Sequence, residues 1–351
     1  MRRVEWIDRA RAIGIVAIVM GHALRGASIY WWLYSFHVPL FVVLSGYLFH
    51  GSKKENPFSQ VLMRKTKSLL IPYWAFSVVS ILFYTALGKI AAGALNRSVD
   101  ETSMISKVVI ALYGNAQNGI MTWNLPLWYL PCIFATEVIA YLLFKRLYKG
   151  KSNMIALCGI SLVISIIIAA SNYYLFKIDY LPFSLETAVY LFPLFIVGMM
   201  VSESKMQKLL SNCGVLLSLA ISSILIVFGA VSAHSVDYVC DSYGNYFVFL
   251  LSAISTSLGI MTLCRMLPKM EWLQYIGKHT LAILVMHKFP LLFFQTMLPV
   301  TKKMLQQYPL PAGVMITIAS ISMCLIAEKI ILAICPILLG QTIKKRVKNT
   351  M

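Results

Sequence analysis

The stretch WIDRARAIGIVAIVMGHALRG, Trp6–Gly26, places two titratable residues inside a strongly apolar segment. Arg11 and His22 are eleven positions apart. On an α-helix this is about 16 Å of axial rise and about three full turns, so the two side-chain directions differ by only about 20°. Both side chains therefore lie on one face of the predicted helix. The bilayer penalises ionisable groups inside a span, so their presence indicates a functional site. We expect a cation at the membrane surface and an imidazole three turns deeper.

The composition indicates an integral membrane protein. The 351 residues are 59% hydrophobic and 13% charged, whereas soluble domains average about 25% charged residues. In a membrane protein a net charge of +18 indicates that Lys and Arg are concentrated in cytoplasmic loops, which face anionic lipid. We therefore expect no nucleic-acid partner. The seven cysteines show no CxxC or Cys/His ligand spacing, so we expect neither a metal site nor a disulfide framework.

Ten segments are long and apolar enough to cross a membrane, which takes about 20 residues each. Lys and Arg concentrate in alternate loops beginning with the N-terminus, so the positive-inside rule places both termini in the cytoplasm. We expect an all-α polytopic protein of the inner (plasma) membrane, with about ten transmembrane helices. Residues 1–351 would form a single domain without an appended soluble domain. The segments run near Ala12–Ala27, Tyr30–Phe49, Leu69–Leu87, Leu125–Phe144, Ile155–Ala170, Ala188–Val201, Val215–Ala233, Phe247–Leu263, Leu281–Leu298 and Gly313–Leu339.

Two of the ten predicted spans depart from a regular apolar helix of about 20 residues. The sixth segment is short and should begin earlier, near Leu181, and the tenth should be tilted or broken near Pro336. The longest external segment, residues 89–124, is expected to be a loop.

Several titratable residues fall near the middle of the membrane when depth is counted at about 1.5 Å per residue through about 30 Å of hydrocarbon. They are His22, His37, His287 and Glu137. Groups at one depth favour a shared polar cavity, with His22 and His37 as the catalytic candidates. We predict substrate-binding roles for Glu137, His287 and Arg25, which follows His22 by one turn. The alternatives are structural hydrogen bonds for Glu137 and His287, and snorkelling to the interface for Arg25.

A second basic cluster enters the third span in MRKTKSLLIPYW, Met63–Trp74. Arg64 and Lys67 are three positions apart and share a helical face. They either form the basic cytoplasmic flank of the third span that the positive-inside rule predicts, or they join Arg11 in binding the phosphates of a substrate. The signatures GxxxxGK[ST], GxGxxG after a strand, GxSxG and HExxH are missing, which disfavours ATP-driven transport, nicotinamide chemistry, and serine or zinc hydrolysis.

Short motifs along the chain resemble those of acyltransferase family 3 in their order. The first is an Arg followed by ten residues and a His. The others are an FHxPLF…SGY element, a basic stretch before span three, a Leu-Trp-Tyr-Leu element, a Phe-x-x-Gly element and a span that ends in His. They occur here as Arg11–His22, Phe36–Tyr47, Arg64–Trp74, Leu125–Phe134, Phe192–Met200 and Gly277–His287.

The resemblance implies ten core helices and transfer of an acyl group, usually acetyl, from cytoplasmic acyl-CoA to a hydroxyl of an extracytoplasmic glycan or glycolipid. The chain is similar to the stand-alone surface-polysaccharide O-acetyltransferases and fucose 4-O-acetylase relatives. Arg11, with Arg64 and Lys67, would contact acetyl-CoA. His22 would act as general base or be acylated transiently, and Ser45 or His37 would help to stabilise the oxyanion.

Two other functions remain open on the sequence alone. A proton-coupled secondary transporter of a sugar or lipid-linked precursor would use the mid-membrane histidines as a proton relay. Such transporters usually contain broken helices in two related halves, and the sequence shows no such halves. A non-catalytic assembly partner that keeps the fold is disfavoured because Arg11 and His22 are both present.

Overall fold

The computed structural model describes residues 4–24, 29–49, 57–95, 102–147, 154–203 and 214–341. Within these ranges the chain is helical and forms no β-strand, and one isolated antiparallel bridge pairs Asp237 with Ser242. The α-helices are α1 (Glu5–Ala23), α2 (Ile29–Phe49), α3 (Phe58–Lys65), α4 (Ile71–Leu95), α5 (Met104–Tyr113), α6 (Tyr129–Leu147), α7 (Met154–Ser171), α8 (Leu185–Glu203), α9 (Val215–Val231), α10 (Tyr246–Met266), α11 (Glu271–Lys278), α12 (Thr280–Met286), α13 (Lys288–Leu292), α14 (Pro299–Gln307) and α15 (Pro309–Ile334).

In the described part of the chain, seven helices are long and apolar enough to cross a membrane. The pair Thr280–Met286 and Lys288–Met297, bent by 41°, would form an eighth span. The other two predicted spans correspond to α1, which carries charged residues in its first turns, and to α9, which has 17 residues. The all-α multi-pass membrane architecture is confirmed. The count of ten and the side of each terminus stay predictions.

The helix ends agree with the expected breaks. The sixth span begins at Pro182, and α15 ends at Ile334, before the short 3₁₀ turn Pro336–Leu339. Proline at this point has no N–H to continue the helical ladder.

The segment expected to be an external loop contains the ten-residue helix α5, so that expectation is wrong in part. Ser103 begins the helix because its side chain accepts a hydrogen bond from Ser106 N at 3.1 Å, which satisfies a free amide of the first turn. Gly114 ends it with a φ of 74°, a left-handed conformation that glycine adopts without strain. Ten residues are too few to span the bilayer.

Helix α2 packs closely on α8 because two glycines allow the two backbones to touch. A Cβ atom on Gly46 would lie 1.9 Å from the Phe195 carbonyl oxygen, and one on Gly198 would lie 2.0 Å from the Val43 carbonyl oxygen. Small residues at such crossings are how membrane helices gain close packing. Helix α1 packs on another side of α2 and also on α11.

Cys240 provides a direct test of the predicted topology. It is the exposed cysteine among those described, and it lies in the turn between α9 and α10 that we expect on the extracytoplasmic side. We predict that a membrane-impermeant maleimide labels the protein in right-side-out vesicles. Cys240→Ser should abolish that labelling. Labelling of Cys240 only in inside-out vesicles would contradict the topology.

Candidate functional site

A cavity of about 550 Å³ lies among the helices and reaches the connecting segments. We call one end the Arg11 end, because Arg11, Ser68 and Lys278 line it, and the other the loop end, because Asn118, Gly119 and Asp237–Cys240 line it. The remaining lining residues are Ile15, Ile18, His22, Tyr30, Tyr34, His37, Val38, Phe41, Leu44, Ser45, Leu69, Leu125, Pro126, Trp128, Tyr129, Leu130, Thr280, Leu281, Leu284 and Lys288.

Helix α1 contributes one continuous stripe to this cavity. Arg11, Ile15, Ile18 and His22 all line it, and their spacings of four, three and four residues are those of one helical face. The shared face predicted for Arg11 and His22 therefore exists, with two isoleucines between the polar ends.

Helix α2 runs antiparallel to α1. The register between the two helices therefore determines which α2 side chains face each end of that stripe. Gly21 contacts the Tyr34 side chain and Gly14 contacts that of Phe41. The same register carries Ser45 to the level of Arg11, about 16 Å from His22 along the axis. Ser45 therefore lies too far away for the oxyanion role expected of it beside His22.

Side chains from two other helical segments hold the His22 imidazole. The Tyr34 hydroxyl lies 3.1 Å from His22 Nδ1, and the His287 ring stacks on the His22 ring with centroids 5.3 Å apart. Gln295 Nε2 donates to the His22 carbonyl at 3.0 Å, where α1 ends. Tyr34 therefore contacts the Nδ1 side of the His22 imidazole.

His37 lies one turn along α2 from Tyr34 and also lines the cavity. Its Nδ1 lies 2.6 Å from the Leu33 carbonyl oxygen. A carbonyl only accepts, so Nδ1 donates this hydrogen bond and carries a proton. The His37 ring stands edge-on to Tyr34, 4.6 Å between centroids. His22 and His37 therefore both line the cavity, and both contact Tyr34.

His287 is fully buried behind His22 and does not line the cavity. Its Nδ1 lies 2.8 Å from the Leu284 carbonyl oxygen and 3.1 Å from that of Ile283. This placement suits a support for the His22 ring better than contact with a substrate.

At the Arg11 end, the structure adds one cation and places two others outside the cavity. Lys278, the last residue of α11, lines the cavity beside Arg11. Arg64 and Lys67 are exposed and do not line it. A π-helical turn, Thr66–Leu70, follows α3 and instead directs Ser68 and Leu69 to the cavity. Contact of Arg64 and Lys67 with a bound phosphate stays a prediction.

Glu137 lies outside the cavity and forms an ion pair with Lys65. The carboxylate is buried, and a buried charge needs such a partner. The pair ties α6 to the junction of α3 with the π-helical turn, and contact of Glu137 with a substrate stays a prediction. Arg25 lies outside the described residues.

The loop end is built by two turns that bond to each other. Asn118 N donates to the Val239 carbonyl at 2.8 Å, and Asp237 Oδ1 accepts from Val239 N at 2.9 Å. Below them, Asp241 accepts from the hydroxyls of Thr187 and Tyr243, each at 2.9 Å. Burial raises the pKa of the Asp241 carboxyl to about 7. The folded loop holds this proton more tightly than the unfolded chain does, so it loses stability as the pH rises through about 7.

Aromatic rings line the cavity between the histidines and the loop end. Trp128 and Tyr238 stack with centroids 5.8 Å apart, and Tyr30 packs on Tyr34 at 4.1 Å. The Tyr238 hydroxyl donates to the Tyr34 carbonyl at 2.7 Å, which fixes its ring beside His37. Flat apolar faces with polar groups at the rim suit a ring-shaped polar ligand.

The sequence reasoning missed Tyr34 and Lys278. Tyr34 is three positions before His37, so its place on the same face of α2 was readable from the spacing. That it reaches His22 depends on the register between α1 and α2. The place of Lys278 could not be predicted, since nothing in the sequence shows that α11 packs along α1.

An apolar helical bundle that encloses a cavity with a cation at one end and imidazoles deeper defines a membrane protein acting on a ligand within the bilayer. The family model described as an acyltransferase domain matches residues 4–329. The chain belongs to acyltransferase family 3 and is a multi-pass membrane acyltransferase. The resemblance seen in the sequence is thereby confirmed.

One curated relative adds a local similarity. The nodulation protein NolL of Mesorhizobium japonicum is 32% identical over 80 residues, which cover 19% of this chain and 21% of that protein. The match thus spans about a fifth of the relative's length. No solved structure matches the chain.

Tyr34 should act as a positioning residue for His22. We predict that Tyr34→Phe lowers the maximal rate of acyl transfer about tenfold, the effect of one lost hydrogen bond, and leaves the KM for the donor unchanged. Tyr84→Phe is the matched control, since the Tyr84 ring stacks on Phe289 outside the cavity. Equal rates for Tyr34→Phe and the control would refute the positioning role.

Proposed function

We propose that the protein transfers an acetyl group from cytoplasmic acetyl-CoA to a hydroxyl of an extracytoplasmic or lipid-linked glycan, in the inner (plasma) membrane. The observation that carries the proposal is one cavity lined by Arg11 at one end, by His22 and His37 within it, and by the turns at Asn118 and Asp237–Cys240 at the other end. Two substrates that enter from opposite ends would meet at the histidines.

The Arg11 end has the chemistry to bind the donor. Arg11 and Lys278 offer charge-assisted hydrogen bonds to phosphates. Beyond them Ile15, Ile18 and Phe41 form an apolar passage that suits the thin pantetheine arm. The axial distance of about 16 Å from Arg11 to His22 then places the thioester beside the imidazole.

His22 would take the proton from the acceptor hydroxyl as that oxygen attacks the thioester carbonyl carbon. The carbon–sulfur bond then breaks, the acetyl group stays on the acceptor oxygen, and the CoA thiolate leaves with the proton from His22. A transiently acylated His22 would carry the acetyl group on a ring nitrogen after the CoA thiolate leaves and would then pass it to the acceptor oxygen.

The loop end supports a carbohydrate acceptor. The rings of Tyr30, Trp128 and Tyr238 line that part of the cavity, and Asn118 and Asp237 lie at its rim. Aromatic faces pack on sugar rings, while side-chain amides and carboxylates bond to hydroxyls. This end also faces the side on which we expect the glycan.

Two variants separate donor binding from chemistry. We predict that His22→Ala lowers the maximal rate by about 10² to 10⁴-fold, the contribution of proton-transfer catalysis, and still binds acetyl-CoA. Arg11→Ala should raise the KM for acetyl-CoA about tenfold or more, because it removes a charged hydrogen bond. The measurement is transfer of radiolabelled acetyl groups to the glycan fraction of membrane vesicles.

Mass spectrometry of surface glycans provides the readout in cells. A deletion strain should lose a mass of one acetyl group per modified unit, and the wild-type gene should restore it. Glycans that keep their acetylation when His22→Ala is the only copy, at normal protein level, would overturn the proposal.

A further inference from the structure

Lys288 is a cation inside an apolar span that the sequence reasoning left without a function. It is half-buried, lines the cavity and is the first residue of α13, after the 41° bend that follows α12. An ammonium group in the middle of a membrane span is costly and is retained where it contacts a functional cavity.

The depth of Lys288 follows from two contacts between α1 and the ninth span. Gly277 packs against the backbone of Asp8, and ten residues later His287 stacks on His22. The two segments therefore run in the same direction, and Lys288 lies at the level of His22. Its flexible four-carbon stem lets the ammonium approach the reacting group from the α12–α13 side.

The other described cations that line the cavity lie elsewhere. Arg11 and Lys278 are at the Arg11 end, about three helical turns from His22. Ser45, which the sequence offered as an oxyanion donor, shares that level because of the register between α1 and α2. Among the described cations that line the cavity, Lys288 is therefore the one next to the place where the thioester carbonyl would react.

We propose that Lys288 binds the carbonyl oxygen of the acyl donor and stabilises the tetrahedral oxyanion. This inference rests on the proposed function. When the acceptor oxygen bonds to the carbonyl carbon, the π electrons of the C=O bond move to its oxygen, opposite the Lys288 ammonium. The hydroxyl proton goes to His22, and the oxyanion collapses as the CoA thiolate leaves. In this step the Lys288 ammonium exchanges no proton and contributes a fixed positive charge beside the oxyanion.

The test compares Lys288→Met, Lys288→Arg and a matched control in membrane vesicles from a deletion strain. The control is Lys329→Met, because Lys329 also lies within an apolar helix but is exposed and does not line the cavity. Vesicles receive radiolabelled acetyl-CoA, and label in the glycan fraction is followed over time. A thermal-shift measurement with acetyl-CoA shows that each variant is folded and binds the donor.

We expect Lys288→Met to lower the maximal rate about 10² to 10³-fold, the usual effect of removing one oxyanion donor, with a KM for acetyl-CoA within about twofold of wild type. Lys288→Arg keeps the charge and should retain most of the rate, and Lys329→Met should match the wild type. Unchanged turnover in Lys288→Met, or an effect confined to the KM of either substrate, would overturn the assignment. Absence of glycan labelling by the wild type would instead overturn the proposed function.

Discussion

The close antiparallel packing of α1 on α2 is the interaction on which the site depends. Gly14 and Gly21 of α1 have no side chains of their own and so contact Phe41 and Tyr34 of α2. That register brings the Tyr34 hydroxyl to His22 and carries Ser45 to the level of Arg11. The cavity lies along the stripe of α1 that begins at Arg11 and ends at His22. A shift of one turn between these helices would separate the imidazole from its hydrogen-bond partner.

The cost of polar groups in a membrane explains how this site is supported. A histidine inside a bundle needs hydrogen-bond partners, since the surrounding lipid offers none. His22 has Tyr34, His37 has the Leu33 carbonyl, and His287 has carbonyls of its own helix. These bonds engage Nδ1 of each ring and so limit its rotation. Preorganisation of this kind lets charge develop in the transition state without rearrangement of the protein.

The sequence predicted correctly the properties that depend on one helix alone. The shared face of Arg11 and His22 follows from helical periodicity alone, and the break at Pro336 follows from the missing N–H of proline. Properties that depend on packing between helices could not be predicted. Counting residues into a span placed Glu137 level with the histidines, but the carboxylate lies outside the cavity and pairs with Lys65. Lys278 reaches the cavity only because α11 packs along α1.

We propose that one acyl-CoA molecule spans the distance from Arg11 to His22. A cryo-EM structure of the protein with a non-hydrolysable acetyl-CoA analogue measures this directly. We expect phosphate oxygens about 3 Å from the Arg11 guanidinium and the acyl carbonyl within about 4 Å of the His22 ring. A nucleotide bound at the loop end, or an acyl group that stops at the level of Ser45, would contradict it.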